Sequence, residues 1–329
     1  MKRPCRKTSK NTWKAKASAC KLLIMSINSK PLLSVLSWNG YKAAISLTFD
    51  DGDPSQLESA VPELSKRDIR GTFFLIANRL KNLEEWKKAA HAGQEIGNHT
   101  LDHRHGRDLT AAEAVDQVNL SRQKLEESLN VSVTTFAYPF TEITPDLRRA
   151  AQDYHFLSRG GYGSVYMNPQ NQPDWLYLAS QVAYSHTSSG ILKGWTDQNI
   201  YYGTWSIPQF HAFTGSQTGW QPLSPAKFTD FLDDLVERKK EIWNAPLGEV
   251  GAYWQAQDIL EKTAVEQKEE TTVWKWEKPS LLPSGTTLKI RLPQNTAKVY
   301  QKDRLIEPSA EGFYVISFDD QELKLTRKF

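Results

Sequence analysis

From Ala43 onward, short apolar runs alternate with amphipathic stretches, and this alternation constrains the fold more than any other feature of the chain. Ala43–Phe49 (AAISLTF) reads as a buried strand, and the spacing predicts a helix from about Ser55 to Lys66. Thr72–Ala77 (TFFLIA) is the next strand, followed by a helix capped at Asn82 and stopped by Gly93. Thr110 and Glu113 have capping-box spacing, in which hydroxyl and carboxylate each satisfy the other's orphan backbone N–H. The helix behind them keeps Val115, Val118, Leu125 and Leu129 on one face. Val133–Ala137 is a predicted strand, and Thr144-Pro145 opens a helix, since Pro at the first helical position forfeits no hydrogen bond. Trp205–Phe210 is a later strand. Ser224-Pro225 begins a helix with Phe228, Phe231, Leu232, Leu235 and Ile242 at helical spacing, and a helix near Val250–Ala264 closes the series.

Such alternation implies a parallel sheet with crossover helices, closed into a barrel or doubly wound. Either arrangement places chemistry at the carboxyl ends of the strands. After Ala264 the pattern changes. Glu266–Thr272 is charged and linker-like, and Thr286–Leu292, Ala297–Gln301, Gly312–Phe318 and Glu322–Lys328 read as four short strands. The expected organisation is a tail over 1–40, an α/β domain over 41–264 and a small antiparallel β-rich module over 265–329. A module that small is expected to pack on its neighbour.

Charge separates the tail from the body. Residues 1–42 hold ten Lys/Arg and no acid, which leaves 31 basic against 38 acidic residues in the rest of the chain, a net of −7. Nucleic-acid binding by the folded body is therefore not expected. The tail starts like an export signal, but its best apolar core, Leu22–Ile27, has six residues where about 7–15 are needed. It reads as disordered or as a poor export signal. Both cysteines, Cys5 and Cys20, lie there, so the body has neither a disulfide nor a Cys-based metal site. No apolar run reaches the roughly 18 residues of a membrane span.

Four motifs fall at predicted strand ends. Asp50-Asp51-Gly52 presents two adjacent carboxylates, which repel unless a cation or hydrogen-bond donors hold them. His99 and His103, at i and i+4, can face one ion from a helical turn, and imidazole suits zinc and similar cations. With an Asp they make three protein ligands and leave a position for water. Tyr138-Pro139-Phe140 ends the fourth strand, with Pro139 fixing a turn. His211 closes the strand near 205–211. Each alone has an ordinary structural reading; together they are what an active site on a β/α frame requires.

TFDDG, HTLDH, FAYPF and a late strand ending in His, in this order over about Tyr41–Ala264, resemble the polysaccharide deacetylases of the NodB-homology group, carbohydrate esterase family 4. The resemblance implies a distorted (β/α)7 barrel and a metal-dependent deacetylase acting on an acetylated oligo- or polysaccharide, with N-acetylhexosamine polymers favoured. O-acetyl-xylan esterase, small amide or imide hydrolase and catalytically inactive carbohydrate-binding protein stand as alternatives. It implies Asp50 as catalytic base, Asp51, His99 and His103 as ligands of a divalent metal (Zn2+ first; Co2+, Ni2+ or Mn2+ otherwise), and His211 as general acid. The Phe140 N–H, beside Tyr138 and Pro139, would hold the oxyanion. It also implies an extracytoplasmic or secreted location. The sequence departs from the family in the third motif, which lacks the Arg that braces the catalytic Asp. Arg159 is the expected substitute, and Asp174-Trp175 the expected counterpart of the fourth motif. His91, His105, His155 and His186 are read as structural or exposed, and Asp102 as exposed or supporting the ligands.

Overall fold

The computed structural model describes residues 33–161, 166–167, 173–216, 219–268, 270–292 and 297–327. Both cysteines and the candidate signal core lie outside the described residues.

Seven strands form one parallel sheet: β1 (Leu47–Asp51), β2 (Gly71–Leu75), β3 (Glu95–Asn98), β4 (Thr135–Ala137), β5 (Leu157–Arg159), β6 (Gln181–Val182) and β7 (Pro208–Phe210). Their order is β5-β4-β3-β2-β1-β7-β6. A parallel bridge from Leu178 to Arg159 brings the segment leading into β6 back against β5, so the sheet curls on itself. The helices are α1 (Val61–Lys66), α2 (Leu83–His91), α3 (Ala111–Leu129), α4 (Pro145–Tyr154), α5 (Ser189–Tyr202), α6 (Pro225–Glu237) and α7 (Leu247–Lys262). This is the distorted (β/α)7 barrel, with antiparallel sheets in the C-terminal region. The capping box at Thr110 is formed, with Glu113 bonded back to the Thr110 N–H at 2.8 Å.

Two predicted strands are each split. Ala43–Ile45 leaves the main sheet to pair in parallel with Ile242–Asn244 and Trp205–Ser206, and only Leu47–Asp51 is β1. Ser46 and Ile207 are the crossing points. Every residue from Ala43 to Phe49 is buried, so both faces are apolar and no alternation marks the change of sheet.

The C-terminal region corrects the sequence reading twice. Glu266–Thr272 is no linker: Val265–Lys268 and Thr271–Lys275 pair antiparallel, in a five-stranded sheet with Glu322–Arg327, Ala297–Gln301 and Arg304–Ile306. Residues 33–40, assigned to the tail, are built into the molecule. Ser34–Val35 pairs antiparallel with Thr287–Arg291, and Trp38 is buried edge-on to Trp254 at 5.2 Å. One apolar cluster runs from Leu33 and Trp38 through Tyr253 and Trp254 of α7 to Trp274, Ile290 and Phe318.

Candidate active site

The first strand delivers both carboxylates. Asp50, the penultimate residue of β1, is buried, while Asp51 and Gly52 have φ of 76° and 67° and turn the chain out of the sheet. A left-handed non-glycine residue costs energy that the surroundings must offset, and here the turn aims the Asp51 carboxylate back over the strand ends.

Asp50 sits in a closed polar network. Arg159, at the end of β5 and fully buried, donates from Nη2 to both carboxylate oxygens. Gln209 donates from Nε2 at 2.8 Å, and the Ser180 hydroxyl joins Gln209 to Arg159 at 2.7 and 3.3 Å. Burial pushes the Asp50 pKa up, but the Arg159 charge, helped by His99 and His211, prevails and holds it below the usual carboxylate range.

His99 and His103 follow β3, but not on a helical turn as the spacing suggested. Thr100 and His103 have φ of 66° and 61°, so the segment is an irregular coil. It is pinned by local bonds: the Thr100 N–H donates to Asn98 Oδ1 at 2.9 Å and the His103 N–H to Thr100 Oγ1 at 3.0 Å. Gln117 of α3 accepts from the Leu101 and Asp102 N–H groups. Asp102 faces away from the cluster, bonded to Asn78 and Gln117, and so braces the coil.

Asp51, His99 and His103 offer ligand atoms that all lie within 4.8 Å of one another. Asp51 Oδ1 is 3.6 Å from His99 Nε2 and 3.4 Å from His103 Nε2, spacings too long for hydrogen bonds and suited to a shared central ion. His99 Nδ1 lies 2.8 Å from the Ala137 carbonyl, which can only accept. That bond puts the ring proton on Nδ1 and leaves the Nε2 lone pair toward Asp51. Burial, then the neighbouring His99, pushes His103 down to about 3, so its ring is neutral and able to ligate. One carboxylate oxygen and two imidazole nitrogens are a donor set that fits zinc or a similar divalent ion.

Phe140 lies at the mouth of the cluster with φ 56°, in a turn where Thr141 donates to Tyr138 and Glu142 to Pro139. Its ring stacks on His105 at 3.8 Å and meets His103 edge-on at 4.4 Å. Glu142 holds His105 at 2.9 Å and Arg107 at 2.8 Å, so His105 buttresses Phe140, a role its sequence position gave no sign of. Tyr138 and Pro139 are buried beneath. On the other side His211 Nε2 is 3.7 Å from Asp50 Oδ2, with Trp220 edge-on to its ring at 4.5 Å. Burial lowers its pKa against the pull of Asp50 and Asp51. A cleft of about 390 Å³ joins these groups and is walled further by Tyr184 and Trp220.

The structure therefore brings together Asp50, Asp51, His99, His103, Phe140, Arg159 and His211, and leaves Asp174 and Trp175 outside. Asp174 is tied to Arg148 by two 2.8 Å bonds, and Trp175 packs edge-on against Trp254. His91 and His155 stand away from the cleft, and His186 stacks on Tyr184 at its rim. Sequence reasoning passed over Gln209, although a period of two puts it on the same strand face as His211. Tyr184 and Trp220 come from loops with no pattern to mark them.

Fold and cleft define an α/β-barrel protein with a hydrolase-type site at the carboxyl ends of its strands. Residues 39–157, which carry Asp50, Asp51, His99, His103 and Phe140, match the family described as Polysaccharide deacetylase, the group the motifs resemble. The chain is 27% identical to a gellan lyase of Bacillus sp over 238 residues, which are 65% of this chain and 9% of that protein. It is 30% identical to the peptidoglycan-N-acetylmuramic acid deacetylase PdaC of Bacillus subtilis over 106 residues, 32% of this chain and 23% of that one. The chain spans less than half the length of the curated relatives it matches. A Mycobacterium smegmatis crystal structure, itself only provisionally assigned as a polysaccharide deacetylase, superposes with a TM-score of 0.55 at 15% identity, covering 71% of this chain and 98% of that one, and supports the fold. Among the described residues no helix is long and apolar enough to cross a membrane.

Proposed function

We propose that the protein hydrolyses acetyl groups from an acetylated glycan, with N-acetylated hexosamine units as the favoured substrate, in a reaction that depends on a divalent ion. The observation that carries this reading is the convergence of Asp51, His99 and His103 within 4.8 Å beside the separate, arginine-paired carboxylate of Asp50. Asp51, His99 and His103 would hold the ion, zinc first, which supplies Lewis-acid polarisation of the acetyl carbonyl and acidifies water. Asp50, kept ionised by Arg159, takes the proton of the attacking water at its carboxylate. The Phe140 N–H donates to the oxygen that gains charge as the carbonyl becomes tetrahedral. His211 Nε2, 3.7 Å from Asp50 Oδ2, relays the proton that Asp50 has taken to the departing nitrogen, and acetate and the free amine result. The glycan specificity of PdaC supports a cell-envelope substrate, and with it an extracytoplasmic site of action.

The test is an acetate-release panel on chitin oligomers, peptidoglycan and acetylated xylan, with and without chelator. Release from the N-acetylated glycans should stop on chelation and return with zinc. Asp50→Asn should lower kcat by about 10²–10⁴-fold while retaining the metal; full turnover in that variant would remove Asp50 from the role of base.

A further inference from the structure

We propose that Gln56 is a positioning residue that holds Asp50 and His211 at the spacing their proton relay needs; this rests on the deacetylase reading above. The parallel ladder between β1 and β7 ends at the pair Phe49 and Phe210. Asp50 and His211 are the first residues past it, where pairing between these two strands no longer sets their separation. One buried side chain takes over there. Gln56 Nε2 donates to the Asp50 carbonyl at 2.6 Å and to the His211 carbonyl at 2.8 Å. A primary amide nitrogen carries two hydrogens, one for each carbonyl, so a single planar group spans both backbones. The amide cannot be turned the other way, because its oxygen would then face two acceptors.

The chain is shaped to deliver this amide. After the left-handed turn at Asp51 and Gly52, Gln56–Ala60 takes a π-helical turn in which the Val61 N–H reaches back five residues to the Gln56 carbonyl. Widened turns of this kind are uncommon and recur at functional sites. The residues just before it grip the same opposite segment: the Ser55 hydroxyl accepts from the Phe213 N–H at 2.9 Å, and Asp53 accepts from the Ser216 hydroxyl at 2.9 Å. The turn after β1 thus clamps the segment that follows β7. The two side chains depend on that clamp unequally. The Asp50 carboxylate is fixed by Arg159 and Gln209. His211 Nδ1 is buried without a hydrogen-bond partner among the described residues, so its ring is aimed by its backbone and by the edge-on Trp220. At 3.7 Å, His211 Nε2 and Asp50 Oδ2 are too far apart to capture each other, yet near enough to serve one reacting group between them.

The experiment gives the zinc-loaded protein two substrates, an N-acetylglucosamine oligomer and 4-nitrophenyl acetate, whose leaving group departs without a proton. Gln56→Glu keeps the shape and leaves at most one donor, and Gln56→Met keeps the length and removes both. Either variant should lower kcat on the oligomer by about 10–100-fold, with KM and zinc affinity within about twofold of the parent. On the aryl ester the loss in kcat/KM should stay below about threefold, because the base still acts and the relay is not needed. Thr110→Ala, destabilised at a helix cap away from the cleft, should leave the ratio of the two activities at the parent value, which separates positioning from lost stability. In a crystal structure of either Gln56 variant, the separation of Asp50 Oδ2 and His211 Nε2 should change by about 1 Å. Equal losses on both substrates, or an unchanged kcat on the oligomer, overturn the proposal. A parent that releases no acetate from the oligomer would instead sink the deacetylase reading, and the crystallographic separation would then decide the clamp.

Discussion

Arg159 and Asp50 meet in the interior with neither side chain open to solvent. Removing one partner of such a pair strands the other charge, which costs more than the pair itself contributes. Arg159→Met should therefore destabilise the protein by about 3–5 kcal/mol in urea denaturation. Adding Asp50→Asn to that background should recover much of the loss; a double variant as unstable as the sum of the singles would show that the two do not act as a unit. The ion pair was partly legible in the sequence. The resemblance implied an arginine bracing Asp50, the third motif has none, and Arg159 was the expected substitute. Asp174 and Trp175 show the opposite case. They matched the family's fourth motif in residue type alone, and they are held by Arg148 on α4 and Trp254 on α7 instead.

Among the elements, α7 is tied to the barrel by Glu95 at the amino end of β3. Its carboxylate accepts from the Thr72 and Thr135 hydroxyls at 2.7 and 2.9 Å and from the Gly248 N–H in the first turn of α7 at 2.9 Å. Burial nevertheless raises its pKa above the ordinary 4.5. A raised folded-state value means that the group favours folding most at low pH and loses that contribution as pH climbs through it. Glu95→Gln should therefore gain stability relative to the parent as pH rises from about 4 to 8; a difference that stays flat in denaturant midpoints would show that Glu95 is ionised in both states. Capping is simpler. Thr110→Ala should cost about 1 kcal/mol, because the side chain satisfies the Glu113 N–H. Helix starts of this kind were readable from adjacent residues alone. The jog at Ser46 and the pairing of Val265–Lys268 with Thr271–Lys275 were not, since charged residues serve an exposed strand pair as well as a linker.

At the scale of the molecule, barrel and C-terminal sheets share one apolar cluster through α7, and Tyr253 donates to the Leu36 carbonyl at 2.6 Å. Heating should therefore unfold both together, with far-UV and near-UV signals coincident; two separated transitions would show that the C-terminal region is an independent unit. Zinc should raise the melting temperature by mass action, and His99→Ala should remove the effect without abolishing the parent fold.

The sequence by itself determined the starts of α2, α3, α4 and α6, the parallel α/β class and the four motifs at strand ends. Each of these is written in residues close together along the chain, where hydrogen bonding and apolar spacing act locally. Only the tertiary structure decided that Arg159 and Gln209 reach Asp50 from separate strands, and that Thr100 and His103 take left-handed conformations to aim the imidazoles. The joining of the Asp50 and His211 carbonyls by Gln56 also came from the structure alone. The reason is distance along the chain: burial and charge act through space, and curling the sheet sets which strand ends become neighbours.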